Sequence, residues 1–252
     1  MSKLNKKLRF KKINLLFTRP MEDSKKLSKK LDSKKFNFFI SPMLEIREVS
    51  YKYKNFTKCD LFLFTSKNGL RNFKHHKKES TTIVIGNGTL SEAKKMGLKN
   101  LINIDGNIED LKKVVILELK NYSRILHPTS RTLNKNLSNF FKSIKCNYHP
   151  LICYSSEKKN TNPEVFENFF FSCKDGIITL FSKRTAMAFV KELNRFNLID
   201  KCNQMKLLVL SKVIKEELTK QGLKNILITS KPNEESMINL INQISSQRSL
   251  IE

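Results

Sequence analysis

Three short stretches carry residues suited to holding an anionic ligand: "FTSKNG" (64–69), "IGNGT" (85–89) and "LFSKRT" (180–185). Each closes an apolar run that reads as a buried strand, and each opens a stretch that reads as a helix. Such turns present free backbone N–H groups and short polar side chains to whatever sits at the strand's carboxyl end. Ser66, Asn68, Thr89 and Ser182 are the side chains so placed, and Gly86 and Gly88 would let the backbone approach a ligand closely. Each of the hydroxyl residues is equally at home as an ordinary helix N-cap, so for any one of them alone both readings stand.

Other chemistries lack their motifs. "IGNGTL" has neither the lysine and Ser/Thr spacing of a phosphate loop nor a third glycine for a dinucleotide fingerprint. His75 and His76 lie in "FKHHKK", which reads as a basic, exposed helix end, and adjacent helical histidines point apart rather than toward one metal. No Ser, Cys or Thr has a histidine and a carboxylate in a local nucleophile pattern. The carboxylate pairs Glu22-Asp23 and Glu216-Glu217 read as helix surface. No metal site and no cofactor motif is expected, and an enzyme of this kind would work mainly by holding the shape of its substrate.

The chain has 252 residues, 39% of them hydrophobic, enough for two domains. It carries 48 Lys and Arg against 23 Asp and Glu, a formal net charge of +25. The lysines spread over nearly every expected helix and form no single stripe, as lysine-rich composition alone would produce. An anionic small substrate and nucleic acid are the two functional readings of that charge. The aromatics are mostly phenylalanines at strand positions and are not interleaved with arginines, which argues against nucleic acid. There is no apolar run long enough to span a bilayer. Met1 to Lys12 reads as a disordered basic tail, with a transit peptide as the alternative. Five cysteines, an odd number without a CxxC pair, point away from a disulfide framework or a zinc ribbon and toward a reducing cytoplasm.

Strand and helix patterns alternate along the chain. Strands are expected at 13–18, 36–40, 61–65, 81–86, 100–104, 124–127, 145–149, 177–181, 206–211 and 225–229. Helices are expected at 21–34, 67–74, 89–96, 107–119, 131–143, 163–172, 183–196, 212–221 and 233–246. "SPMLEIREV" (41–49) and "HPLICYSSE" (149–157) read as extended segments carrying a proline. The second half repeats the first. Leu27 and Leu31 match Leu137 and Phe141 at a shift of 110, and "FTSK" (64–67) and Phe73 match "LFSK" (180–183) and Phe189 at 116. "MGLKNL" (96–101) matches "QGLKNI" (221–226) at 125, and Pro42 matches Pro150. A repeat this long implies duplication of one α/β unit into two similar lobes, each a parallel β-sheet flanked by helices. Two such lobes facing each other would line one cleft with the polar turns.

The series "LLFTRP" (15–20), "ISPMLEI" (40–46), "DLFLFTSKNGLRNF" (60–73), "IGNGT" (85–89), "GLKN" (97–100), "HPLICY" (149–154) and "TLFSKRTAMAF" (179–189) resembles the uroporphyrinogen-III synthase family, from about Ile13 to Ile244. The motifs are weak singly and specific in their order and spacing. The resemblance implies two α/β lobes joined by a two-stranded linker. Lobe one would be 1–41 plus 158–252, lobe two 49–148, and the linker strands 42–48 and 149–157. It implies ring closure of hydroxymethylbilane, a linear tetrapyrrole with eight carboxylates, to uroporphyrinogen III with inversion of the D ring and loss of water, without metal or organic cofactor. It places Thr89 on the family's cleft threonine, Tyr154 on its linker tyrosine, Ser66 and Ser182 on its two strand-end serines, and Arg19 on the arginine of "TRP". Tyr154 is then the candidate donor to the departing hydroxyl, or else a tyrosine that packs at the hinge. The implied protein is a cytoplasmic monomer acting on a small anionic tetrapyrrole, with transient contact to the upstream bilane-forming enzyme, and binding neither nucleic acid nor membrane.

Two departures stand out. Where the family's second lobe carries a turn like "IGPTTA", this chain has "LSKVIK" (210–215), with Ser211 for the glycine and Ile214 for the threonine. A glycine expected after 124–127 is replaced within "HPTSRT". The alternatives are a catalytically inactive two-lobe homologue that binds a small molecule, and a basic nucleic-acid-binding α/β protein.

Overall fold

A computed structural model describes residues 12–54, 58–118, 124–132, 135–159, 161–172 and 174–249. Apart from Lys12, the basic tail expected at 1–12 lies outside the described residues, as does Cys173. The other four cysteines are free thiols.

The described residues form eleven strands: β1 (Ile13–Phe17), β2 (Phe36–Ile40), β3 (Leu44–Glu48), β4 (Leu61–Phe64), β5 (Thr81–Ile85), β6 (Leu101–Ile104), β7 (Arg124–Ser130), β8 (Asn147–Lys158), β9 (Gly176–Leu180), β10 (Lys206–Val209) and β11 (Ile226–Ile228). Ten helices accompany them: α1 (Met21–Ser28), α2 (Lys67–Asn72), α3 (Asn87–Lys95), α4 (Ile108–Glu118), α5 (Lys135–Ser143), α6 (Pro163–Ser172), α7 (Lys183–Arg195), α8 (Ile199–Cys202), α9 (Lys212–Lys220) and α10 (Glu234–Ser249). The chain divides into two compact units. Unit 1 is Met1–Glu45 with Lys158–Glu252, and unit 2 is Ile46–Glu157.

Unit 1 holds a five-stranded parallel sheet in the order β11-β10-β9-β1-β2. Every residue of β1 and β9 is buried, which is why Leu15, Leu16 and Phe17 and likewise Ile177 and Ile178 run consecutively rather than alternating with polar residues, while the buried Asn14 and Thr179 find hydrogen-bond partners. One face packs Phe166, Phe169 and Phe170 of α6 with Ala186, Phe189 and Leu193 of α7 and Leu218 of α9. The other packs Leu27 of α1 with Met237 and Ile241 of α10. Each fully buried Leu or Phe contributes roughly 1.5–3 kcal/mol of transfer free energy.

Unit 2 holds a six-stranded sheet in the order β3-β8-β7-β4-β5-β6. Leu70 and Phe73 cover one face with Ala93 of α3. Leu111 and Val115 of α4 cover the other with Leu137 and Phe141 of α5. The expected strand at 145–149 and extended segment at 149–157 are one strand, β8, and β3 lies beside it.

The repeat offsets reappear as sheet register. Leu15 pairs with Phe38 and Ile177 in unit 1, and Ile125 pairs with Tyr148 and Leu61 in unit 2. Ile177 pairs with Lys206 as Leu61 pairs with Thr81, and Leu207 pairs with Ile226 as Thr82 pairs with Leu101. Every one of these correspondences obeys the shifts of 110, 116 and 125. The two units therefore share one spatial strand order, β2-β1-β9-β10-β11 corresponding to β8-β7-β4-β5-β6. Each unit combines a βαβ segment from one half of the chain with a βαβαβ segment from the other.

Several boundaries differ from expectation. α1 ends at Ser28, after which Lys30 and Leu31 donate to the carbonyls of Leu27 and Ser28 in tight turns that still bury Leu31. β7 runs on through Pro128 to Ser130. The histidine pair is not on a helix end: α2 stops at Asn72, and both residues lie in the coil that follows. There His76 Nε2 lies 2.9 Å from the Leu70 carbonyl with its ring edge-on to Phe73, and His75 stacks on Tyr53 with centroids 4.3 Å apart. Apolar and aromatic contacts therefore hold this pair, and burial pushes the pKa of His76 below its ordinary value.

Candidate functional site

In each unit the chain winds outward from a central strand and then returns to that strand's other side. The change of direction falls between β1 and β9 in unit 1 and between β4 and β7 in unit 2. Carboxyl ends of strands at such a switch point are where open α/β sheets bind ligands.

Unit 2 brings two of the sequence-predicted residues into direct contact at this place. Ser66, at the end of β4, accepts the Gly69 N–H as N-cap of α2, at 3.2 Å. Its hydroxyl lies 3.0 Å from the Tyr154 hydroxyl, brought in by β8. Tyr154 is buried, packed with Phe64, Phe73 and Cys153. Gly69 lets α2 lie close on β7, because a Cβ there would meet the Pro128 carbonyl oxygen at 2.6 Å. Asn68 lies in the first turn of α2, and its carbonyl accepts the Asn72 side-chain N–H at 2.8 Å. Thr89 is buried in the first turn of α3, after Gly86 at φ 79°. Arg71, in the last turn of α2, grips Glu92 of α3 with two charge-assisted bonds of 2.9 and 3.2 Å, so the two helices are tied together. The Lys67 stem lies against Gly88, bringing a cation between the two turns.

Unit 1 brings Arg19 and the residue before Ser182 together. The Arg19 guanidinium sits 4.3 Å over the Phe181 ring. It also donates to Glu234 at 2.6 Å and to Asp23 at 3.2 Å, with only 13% of its side chain exposed. Two carboxylates thus already balance this charge. Ser182 caps α7 by accepting the Thr185 N–H at 3.1 Å, and its hydroxyl lies 2.8 Å from that of Thr185. Ser211, the departure at "LSKVIK", caps α9 in the same way through Ile214 N–H.

A cavity of about 520 Å³ in unit 1 lies at the opposite end of the sheet, lined by Ile13, Gly176, Lys206 and Ile226 at the amino ends of the strands. It is remote from these turns. A second, of about 740 Å³, runs along α7 past Lys158, Arg184 and Lys191. Among the described residues no His, Cys, Asp or Glu cluster could hold a metal ion, and no helix is long and apolar enough to cross a membrane.

One group escaped the sequence reading. His127 is buried in the middle of β7, with Nε2 3.0 Å from the Thr65 hydroxyl and Nδ1 2.6 Å from the Tyr148 hydroxyl. Burial pushes its pKa down to about 3, so the ring is neutral. The signal was in the repeat: a shift of 110 sets His127 on Phe17 and Tyr148 on Phe38.

The geometry has relatives. The crystal structure of uroporphyrinogen-III synthetase from Helicobacter pylori 26695 superposes with a TM-score of 0.64 at 13% identity, covering 92% of this chain and 99% of that one. A crystal structure of a mutant uroporphyrinogen III synthase from the extremely thermophilic bacterium Thermus thermophilus gives 0.52 at 16% identity, covering 94% and 99%. At such identities these matches establish the two-lobe α/β fold. No curated protein sequence matches the chain at a significant level. The sequence model described as Uroporphyrinogen-III synthase HemD, however, matches residues 25–239, most of the chain, and the chain belongs to that family.

Proposed function

We propose that this chain is a uroporphyrinogen-III synthase that closes hydroxymethylbilane to uroporphyrinogen III. The observation that carries the reading is the Tyr154–Ser66 hydroxyl pair at the switch point of unit 2, in a chain of this family. Ring closure begins when the C–O bond of the terminal hydroxymethyl group breaks and the oxygen leaves as water. A hydroxyl donor at that oxygen lowers the barrier, and Tyr154 supplies it, with Ser66 fixing the direction of its O–H. The D-ring pyrrole then attacks the electron-deficient carbon through its substituted α position. The bond from that position to the neighbouring methylene bridge breaks and re-forms at the ring's free α position, which inverts the ring, and the proton displaced there leaves to restore the donor. Thr89, Asn68 and the nearby Lys67 ammonium hold substrate carboxylates in unit 2, and Ser182 and Arg19 do so in unit 1. Arg19 serves by exchanging part of its hold on Asp23 or Glu234. The high positive charge concentrates the anionic substrate. The protein acts as a cytoplasmic monomer whose segments 42–48 and 149–157 link the lobes, and it takes the bilane from the enzyme that forms it. No protein metal or cofactor enters these steps.

The test is a coupled assay with freshly generated hydroxymethylbilane, separating the III isomer from the I isomer that forms spontaneously. Production of the III isomer in proportion to protein supports the reading. Only the I isomer refutes it. Ser211 and Ile214, where the family carries glycine and threonine, favour a second reading as a binding homologue, which binding of the bilane without turnover would support.

A further inference from the structure

The two units differ sharply at one set of matched positions. Sheet register places His127 on Phe17 and Tyr148 on Phe38, and the sequence shift of 116 sets Thr65 on Phe181. In unit 1 these are apolar: Phe17 and Phe38 stack with centroids 5.8 Å apart, and Phe181 packs in the same cluster. In unit 2 the ring centroids of His127 and Tyr148 are again 5.8 Å apart, but all three residues are polar and joined in a row of hydrogen bonds from Tyr148 through His127 to Thr65. The fold therefore accepts three phenylalanines here, and packing does not demand the polar set. A buried polar group costs stability unless every partner is made. What the polar row adds is direction. Tyr148, stacked on Phe141 with centroids 4.4 Å apart, is a fixed base. Through the His127 ring it pins the Thr65 hydroxyl, at the residue adjoining Ser66. The matching turn of unit 1 has only Phe181 before Ser182, and its serine turns to Thr185 instead of to a tyrosine.

We propose that Thr65, His127 and Tyr148 are positioning residues, a hydrogen-bonded strut that fixes the end of β4 so that Ser66 can hold the Tyr154 hydroxyl in its working direction. The strut makes unit 2 the chemical lobe and leaves unit 1 to hold substrate. This deepens the synthase reading and rests on it for its kinetic consequence, though not for its structural one.

The test uses the full chain with Thr65→Val, which keeps shape and removes the hydroxyl, Thr65→Ser as the conservative rescue, and His127→Phe/Tyr148→Phe, which installs the residues unit 1 already tolerates. Two readouts are taken: kcat and KM for formation of the III isomer, and hydrogen exchange of the Gly69 amide, which Ser66 accepts. The expected result for Thr65→Val and the double variant is a kcat at least ten-fold lower with KM within two-fold. Gly69 exchange should be about ten-fold faster, while the amides of Leu61–Leu63 stay as protected as in the wild type. Thr65→Ser returns both readouts to within two-fold. Unchanged Gly69 exchange in Thr65→Val overturns the proposal whatever the kinetics, and so does an unchanged kcat in an active wild-type background. If the wild type forms no III isomer, the synthase reading fails by itself, and the exchange arm alone decides whether the strut exists.

Discussion

Units 1 and 2 share five strands in the same order and register, with β3 added at the edge of unit 2, but carry different chemistry at the switch point. In unit 1 the crossing of β1 and β9 is sealed by phenylalanine and by Thr18, whose hydroxyl donates to the Thr179 carbonyl at 2.6 Å. The cation beside it, Arg19, is held by two carboxylates. In unit 2 the equivalent crossing of β7 and β4 holds a neutral histidine between two hydroxyl groups, and one residue further on a serine meets a tyrosine. One scaffold position can thus be spent on packing or on orienting a polar group. The backbone does not choose between them, because the register that places the side chains is identical.

The largest effect should come from breaking the feature unit 1 lacks. Tyr154→Phe removes one oxygen and keeps the ring, so synthase activity should fall roughly 10²–10⁴-fold. The urea midpoint should move little, because a single net hydrogen bond is worth only about 1 kcal/mol. A Phe variant near wild type with an inactive Ala variant would make Tyr154 a packing residue.

The converse exchange sharpens the same contrast. Phe17→His puts an imidazole into unit 1 without hydroxyl partners, and should cost about 2–4 kcal/mol from lost packing and unpaired nitrogens. Adding Phe38→Tyr should recover about 1 kcal/mol, because the matched register brings the new hydroxyl to the ring. Strict additivity in urea unfolding of the two single variants and the double variant would show that register alone does not form the pair.

Gly69 and its counterpart Thr185 offer a smaller test. A Cβ at 69 would press on the Pro128 carbonyl, so Gly69→Ala should destabilise by about 1–3 kcal/mol. Thr185→Val keeps the shape, loses only the hydroxyl contact to Ser182 and should cost about 1 kcal/mol. Equal thermal shifts would contradict the close approach.

The last effect is a slope with pH. His127 is neutral in the folded protein down to about 3, against an ordinary 6.5, while in the unfolded chain it takes a proton below 6.5. Its contribution is fully present above 6.5 and is lost as pH falls from there toward 3, by up to about 1.4 kcal/mol per pH unit. His127→Phe/Tyr148→Phe should therefore lose less stability than the wild type between pH 7 and pH 4. Parallel urea midpoints in the two proteins would mean that the ring takes up its proton without unfolding.

Much of this molecule follows from its sequence. The consecutive apolar residues Leu15 to Phe17 of β1 and Ile177–Ile178 of β9 mark strands buried on both faces, since a parallel sheet covered by helices leaves no wet side. The offsets of 110, 116 and 125, read from Leu27, "FTSK" and "MGLKNL", foretell which strand of one unit is the counterpart of which strand of the other. Gly97 and Gly222 in the two "GLKN" copies have φ near 78° and 79°, a backbone state open to glycine at the end of a helix. Ser66 and Ser182 were legible as caps because capping is a local property, whereas Thr89 is no cap: Gly86 starts α3 and Thr89 is buried inside its first turn. What the residues alone left open was non-local. The repeat by itself is equally compatible with two lobes that follow each other along the chain, since apolar burial has no direction and does not name the strand that will lie beside β1. Only the folded sheet sets β9 there, and β7 beside β4. The Tyr154–Ser66 contact spans 88 residues and that of Thr65 with His127 spans 62. Nothing in local periodicity distinguishes a histidine bound for a hydrogen-bonded strut from one bound for the surface. That distinction appears when tertiary packing withdraws the ring from water and obliges both its nitrogens to find partners within the protein.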